Sequence, residues 1–115
     1  MIHDMTLNPA PYAAVQCGDK TVEMRLYDDK RRAVSPGDTI RFTCPGFTGE
    51  QLAVRVSAVR VFPDFESLYA AYTPRALGYA PGAKVDPRDM LRYYAPSRIA
   101  KLGVVALEIV PPEHA

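Results

Sequence analysis

The densest chemistry in this chain lies between Gly18 and Arg32, "GDKTVEMRLYDDKRR", where nine of fifteen residues carry charge. Charge at this density ordinarily marks a solvated helix face or a tail. Here it is threaded through an apolar alternation, Val22, Met24 and Leu26 against Glu23, Arg25 and Tyr27. A period of two is the signature of a strand. Successive side chains then point to opposite faces, so Thr21, Glu23, Arg25 and Tyr27 form a polar row spaced about 7 Å apart. Lys20 opens that strand. A lysine beside a glutamate can act as an acid–base or nucleophilic pair if burial lowers the lysine pKa. Arginine donates in a planar fork, glutamate accepts from an amino group, and tyrosine offers a ring face. The set suits a planar polar ligand such as a nucleobase with its phosphate. On periodicity alone, cross-strand ion pairs on a solvated strand face are the commoner outcome.

The elements that must position these residues are short, because eleven prolines punctuate the chain. His3 to Leu7 reads as a strand. In "NPAPYAAVQCG", Asn8 can cap a helix, Pro9 suits its first turn and Gly18 can end it. Its apolar residues Tyr12, Ala14 and Val15 would sit against the core, and the helix end delivers the chain to Lys20, which also makes Tyr12 a candidate to border the same cleft. "DDKRRAVSPGD" reads as a loop with a turn at Ser35–Asp38. Thr39 to Cys44 is a strand with Ile40 and Phe42 inward, "PGFTGE" a turn, and Gln51 to Phe62 a longer alternating strand. Asp64 caps a helix carrying Leu68, Tyr69 and Tyr72, and Asp86 with Pro87 starts another. Gly103 to Val110 is the last strand. Five strands with three short helices between them argue for a small curled sheet or barrel, not a doubly wound parallel fold. No glycine-rich strand-to-helix turn of the phosphate-binding kind occurs.

Length and composition set the frame. At 115 residues, 48% hydrophobic and 23% charged, residues 1–115 are expected to form one globular domain. No apolar run approaches the ~20 residues of a membrane helix, and the N-terminus lacks a signal-peptide pattern, so a cytoplasmic location is expected. A net charge of +1 gives no global field for nucleic acid, so any electrostatic recognition rests on local clusters. Lys30, Arg31 and Arg32 are such a cluster. They fit a phosphate clamp, or a solvated loop balanced by Asp28 and Asp29. Tyr93 and Tyr94 sit on adjacent helical positions, about 100° apart, so one belongs to the core and the other to the surface or cleft. Cys17 and Cys44 with His3 and His114 match no zinc spacing, and no metal or cofactor is implied.

The opening stretch, followed by "SPGDTIRF", resembles the signature of the ASCH domain family (activating signal cointegrator homology). The family's G-x-K-x-x-E-x-R pattern is matched by Gly18, Lys20, Glu23 and Arg25, and its later G-D by Gly37 and Asp38. "LGVVALEI" at Leu102–Ile109 matches its ending, and "DPRDMLRYY" resembles the middle of a bacterial branch. The resemblance implies an α+β, mostly β fold: a small PUA-like β-barrel of five to six strands with two to three short helices. It implies a cleft beside the motif strand that binds RNA or a modified nucleoside, with Tyr12, Lys20, Thr21, Glu23, Arg25, Arg31 and Arg32 as ligand contacts. The alternative it implies is a hydrolase, with Lys20 and Glu23 catalytic, acting as a ribonuclease or on acetylated cytidine. The amidohydrolase branch carries a Thr where this chain has Glu23, with Thr21 two residues earlier. No counterpart of that branch's distant Glu emerges between Gly78 and Asp89.

Overall fold

The computed structural model describes residues 1–110, which leaves His114 outside the described residues. Five strands form one mixed sheet: β1 (Ile2–Thr6), β2 (Val22–Leu26), β3 (Thr39–Cys44), β4 (Thr48–Phe62) and β5 (Val104–Val110). Their order is β1-β3-β4-β5-β2, with β1 and β3 parallel and the other pairs antiparallel. Four short α-helices accompany them: α1 (Pro9–Gln16), α2 (Asp29–Arg32), α3 (Phe65–Ala70) and α4 (Pro96–Leu102), with a 3₁₀ helix at Pro87–Arg92. The fold is a small α+β domain with the five strands expected. The sheet does not close into a hydrogen-bonded barrel, because β1 and β2 remain its two edges.

The curl comes from β4. Its first half pairs with β3 up to Arg55, and its second half pairs with β5 from Arg55 to Phe62. A register shift between Val56 and Ala58 marks the bend, as a β-bulge does. The bend creates two cores. Met5, Tyr12, Val15, Ile40, Phe42, Val54 and Val56 fill the first, under α1. Val22, Met24, Leu26, Phe65, Leu68, Leu77 and Met90 fill the second, under α3 and the 3₁₀ helix. β5 serves both: Val105, Leu107 and Ile109 face the first core, Val104 and Ala106 the second. That is why "GVVALEIV" is almost continuously apolar.

Local signals placed most boundaries. The Asp64 carboxylate accepts from the Ser67 N–H at 2.8 Å, and Asp86 accepts from the Arg88 N–H at 2.9 Å. Ser35–Asp38 turns as expected, with Gly37 at φ +94° and the Asp38 N–H on the Ser35 carbonyl. Three features differ. β4 begins at Thr48, so the turn before it is shorter. The segment read as a loop contains α2, where Asp28 caps the Arg31 N–H at 3.0 Å. α4 was not expected: Ala95 gives it no side-chain cap, and it is held by Ile99 and Leu102 packing on the second core. Gly103 ends it at φ +72°, against the Phe62 carbonyl, where a Cβ would lie 3.0 Å from that oxygen.

Candidate functional site at the open seam of the sheet

β2 hydrogen-bonds to β5 on one side only, and β1 to β3 on one side only. An edge strand presents unpaired N–H and C=O groups that must be capped or solvated. The charged stretch supplies the caps. Lys20 Nζ donates to the Val22 carbonyl at 2.7 Å and, from the facing loop, to the Leu77 carbonyl at 3.0 Å. The Met24 N–H donates to Glu23 Oε1 at 3.0 Å. Arg25 Nη2 donates to Glu23 Oε2 at 3.1 Å and reaches across to the Thr6 carbonyl of β1 at 2.7 Å. Lys30 Nζ reaches the Asp4 carbonyl of β1 at 2.6 Å. The charges at this apolar seam therefore tie two strand edges that backbone pairing leaves apart.

Lys20 and Glu23 are buried, at 4% and 5% exposure, and Nζ lies 3.6 Å from Oε1. Burial pulls the Lys20 ammonium below the ordinary lysine value, against the opposing pull of Glu23. Burial alone would raise the Glu23 carboxyl, but Lys20, then Arg25, and the Met24 N–H outweigh it and hold the group below its usual value. Gly78, at φ +101°, lets the backbone lie directly on the lysine stem, where a Cβ would sit 3.0 Å from Lys20 Cδ.

Beside this constellation opens a cleft of about 590 Å³, a size that accommodates a nucleoside-like ligand. Lys20, Glu23, Met24 and Arg25 form one wall, and Thr6 to Pro11 run along its rim. The facing wall comes from residues 69–94, with Tyr69, Tyr79, Asp89, Arg92, Tyr93 and Tyr94 contributing. Tyr94 is anchored by stacking on Phe65, ring centroids 6.1 Å apart and planes 12° from parallel. Burial raises its phenol pKa. Tyr93 is 53% exposed. Both tyrosines thus line the cleft, one rooted in the core and one open to solvent.

The structure brings together Lys20, Glu23 and Arg25 and places the other expected contacts elsewhere. Tyr12 is 2% exposed within the first core, edge-on to Phe47, and its hydroxyl donates to the Glu50 carbonyl. It faces inward because α1 lays its Tyr12–Val15 side on the sheet. Thr21 does not line the cleft; its backbone bonds Ala76 and Ile109. Arg31 folds back onto Asp28 at 3.2 Å, and Arg32 stacks over the Tyr27 ring at 4.3 Å. Neither enters the cleft, since α2 turns both toward their own neighbours. His3 is buried against Asp38, Nε2 to Oδ2 2.8 Å. Conversely, Tyr69 was expected only as core, and neither Tyr79 nor Asp89 was expected at a site. Their signal is the acidic-aromatic composition of residues 79–94, which carries no spacing rule of its own.

A strongly curled mixed sheet, whose open seam is stitched by a Lys-x-x-Glu-x-Arg strand beside a tyrosine-walled cleft, defines the class. The chain belongs to the ASCH domain family, whose model matches residues 5–113. It is similar over 96% of its length to the crystal structure of the hypothetical protein PH0355, with 33% identity, 99% of that chain covered and a TM-score of 0.83. It is similar over 99% of its length to the solution structure of protein PF0455 from Pyrococcus furiosus, with 34% identity, 100% of that chain covered and a TM-score of 0.72. The ASCH protein of Zymomonas mobilis shares the fold at 16% identity, with 97% of this chain and 68% of that chain covered and a TM-score of 0.68. No curated protein matches the chain. No helix among the described residues is long and apolar enough to cross a membrane.

Proposed function

We propose that the cleft binds RNA or a modified nucleoside, with a base against the tyrosine wall and phosphate or carbonyl oxygens toward the arginines. The observation that carries this reading is the pairing of Arg92 and Tyr93 on the open wall. Both are exposed in a concave site, and Arg92 forms no ion pair with any described residue. A free guanidinium beside an exposed ring matches the two needs of a single nucleotide, charge neutralisation and stacking. Arg25 contributes from the seam, because only its Nη2 is committed to Glu23 and Thr6. Arg25 lines the cleft, and its remaining N–H groups form no hydrogen bond with any described residue. The family membership agrees with a ligand of this class.

The test titrates labelled single-stranded RNA and nucleoside monophosphates into the wild type, Tyr93→Ala and Arg92→Ala. Loss of one base stack should weaken binding by about 1–3 kcal/mol. Arg92→Ala should flatten the dependence of affinity on salt by about one unit of slope. Binding that is indifferent to salt and to both substitutions would remove the reading.

One observation favours a second reading, hydrolysis in the same cleft. Lys20 combines burial, a lowered pKa and a carboxylate neighbour, the profile of a functional base or nucleophile. Against it, the ammonium already donates to two carbonyls and pairs with Glu23, so it must leave them to react. Incubation with single-stranded RNA and with acetylated cytidine decides. Product formation that disappears in Lys20→Met, with the fold intact by circular dichroism, establishes the enzyme; no product from wild type removes it.

A further inference from the structure

We infer that Asp89 is the specificity-determining residue of the cleft, and that it selects bases carrying an exocyclic amino group over their oxo counterparts. The inference rests on the nucleotide-binding reading above and adds what the site would recognise.

The inference follows from where the protons of one hydrogen-bonded array must lie. Tyr79 OH contacts three oxygens: Asp89 Oδ2 at 2.7 Å, the Asp86 carbonyl at 3.2 Å and Tyr69 OH at 2.9 Å. A phenol has one proton. The carboxylate and the carbonyl are acceptors only, so the Tyr79 proton goes to them, and most directly to Asp89. Tyr69 must then donate to the Tyr79 oxygen. Both phenol protons therefore run in one direction, toward Asp89, and neither is left for a ligand. Burial first, then the hydrogen bonds to Tyr69 and Asp89, keeps Tyr79 protonated far beyond the ordinary phenol range. The array is thus fixed in its polarity.

Its terminus is the Asp89 carboxylate, which lines the cleft. Oδ2 is held by Tyr79, and Oδ1 receives no hydrogen bond from any described residue. An oriented carboxylate with one oxygen unfilled accepts and cannot donate. Asp and Glu read an amino group on a base edge for this reason. A carbonyl presented to the same point would set oxygen against oxygen. Of the cleft's cations, Lys20 and Arg25 belong to the seam, where they pair with Glu23, and Arg92, which shares the wall with Asp89, is the one the binding reading assigns to phosphate. The seam's donors and the Asp89 acceptor therefore sit on facing walls. Tyr94, pinned on Phe65, and Tyr93 supply ring surface that does not discriminate between bases.

Asp89→Asn isolates the role. The amide oxygen still accepts from Tyr79, so the array and the fold are kept, while the NH₂ replaces the free acceptor with a donor. The experiment measures affinity of the full chain for two matched pairs, cytidine against uridine monophosphate and adenosine against inosine monophosphate. In wild type the amino-bearing member of each pair should bind about tenfold more tightly, the worth of one hydrogen bond to a charged acceptor. In Asp89→Asn that preference should vanish or invert, with Tyr93→Ala weakening all four nucleotides alike. Equal binding within both pairs in wild type, or an unchanged ratio in Asp89→Asn, overturns the inference while leaving nucleotide binding standing. Failure of wild type to bind any nucleotide or RNA removes the binding reading and this inference together.

Discussion

Glu23→Gln is the substitution that tests whether the motif charges hold the seam. The side chain is 6% exposed, accepts from the Met24 N–H at 3.0 Å and Arg25 Nη2 at 3.1 Å, and lies in ion-pair contact with Lys20 Nζ at 3.6 Å. The amide keeps the shape and one acceptor. It removes the only carboxylate among the described residues within ion-pair distance of either cation. It also turns N–H groups toward a guanidinium. Breaking a buried pair by deleting one partner costs about 3–5 kcal/mol. Lys20 can relieve part of this by shedding its proton, because burial already lowers its pKa, so the lower end, about 3 kcal/mol, is expected. For a domain of this size that is a large share of a total stability of about 5–15 kcal/mol. At about 4 °C per kcal/mol the melting temperature should fall by roughly 12 °C. Urea unfolding followed by circular dichroism measures the loss. Adding Lys20→Met removes one orphaned cation while its stem still fills the space under Gly78. The double variant should therefore be more stable than the sum of the singles by at least about 1 kcal/mol. A loss below about 1 kcal/mol in Glu23→Gln, or strict additivity, would refute the picture of a charge-stitched seam.

The remaining predictions concern its supports. Gly78→Ala forces a Cβ against the Lys20 stem at φ +101° and should cost about 1–3 kcal/mol by the same urea assay. Asp64→Ala removes the cap on the Ser67 N–H and should cost about 1 kcal/mol, with Asp64→Ser recovering most of it. Asp38 is held down from 3.8 to about 2, chiefly by its hydrogen bond from His3 and then by the Ser35 N–H. A depressed carboxyl contributes stability that is present above its unfolded value and lost as pH falls through its folded one. Acid unfolding monitored from pH 5 downward should therefore show a loss between about 4 and about 2. Asp38→Asn should abolish that component.

What could be read from the chain alone is what is local. The alternation of Val22, Met24 and Leu26 specified β2 and its inward face, and the capping aspartates at 64 and 86 specified where helices start. These signals act over two to four residues, so their geometry is fixed before the chain folds. The four landmarks from Gly18 to Ile109 fixed the family in the same way. α4 escaped because it has no side-chain cap and exists through packing of Ile99 and Leu102 on a core assembled from distant strands. The apolar pattern of α1 put Tyr12 and Val15 against the core, as found, whereas the suggestion that Tyr12 borders the cleft failed because it rested only on the nearness of the helix end to Lys20. The polar row on β2, by periodicity alone, favoured a solvated face over a binding face without excluding either. The tertiary structure put Glu23 and Arg25 to a third use, capping strand edges at the seam. Lys20 meets Leu77 across 57 positions, Arg25 meets Thr6 across 19, and the cleft's second wall is drawn from residues 69–94. Whether a charge sits in water or caps a buried strand edge depends on which edges the completed sheet leaves unpaired, and only the bend in β4 and the final strand order determine that.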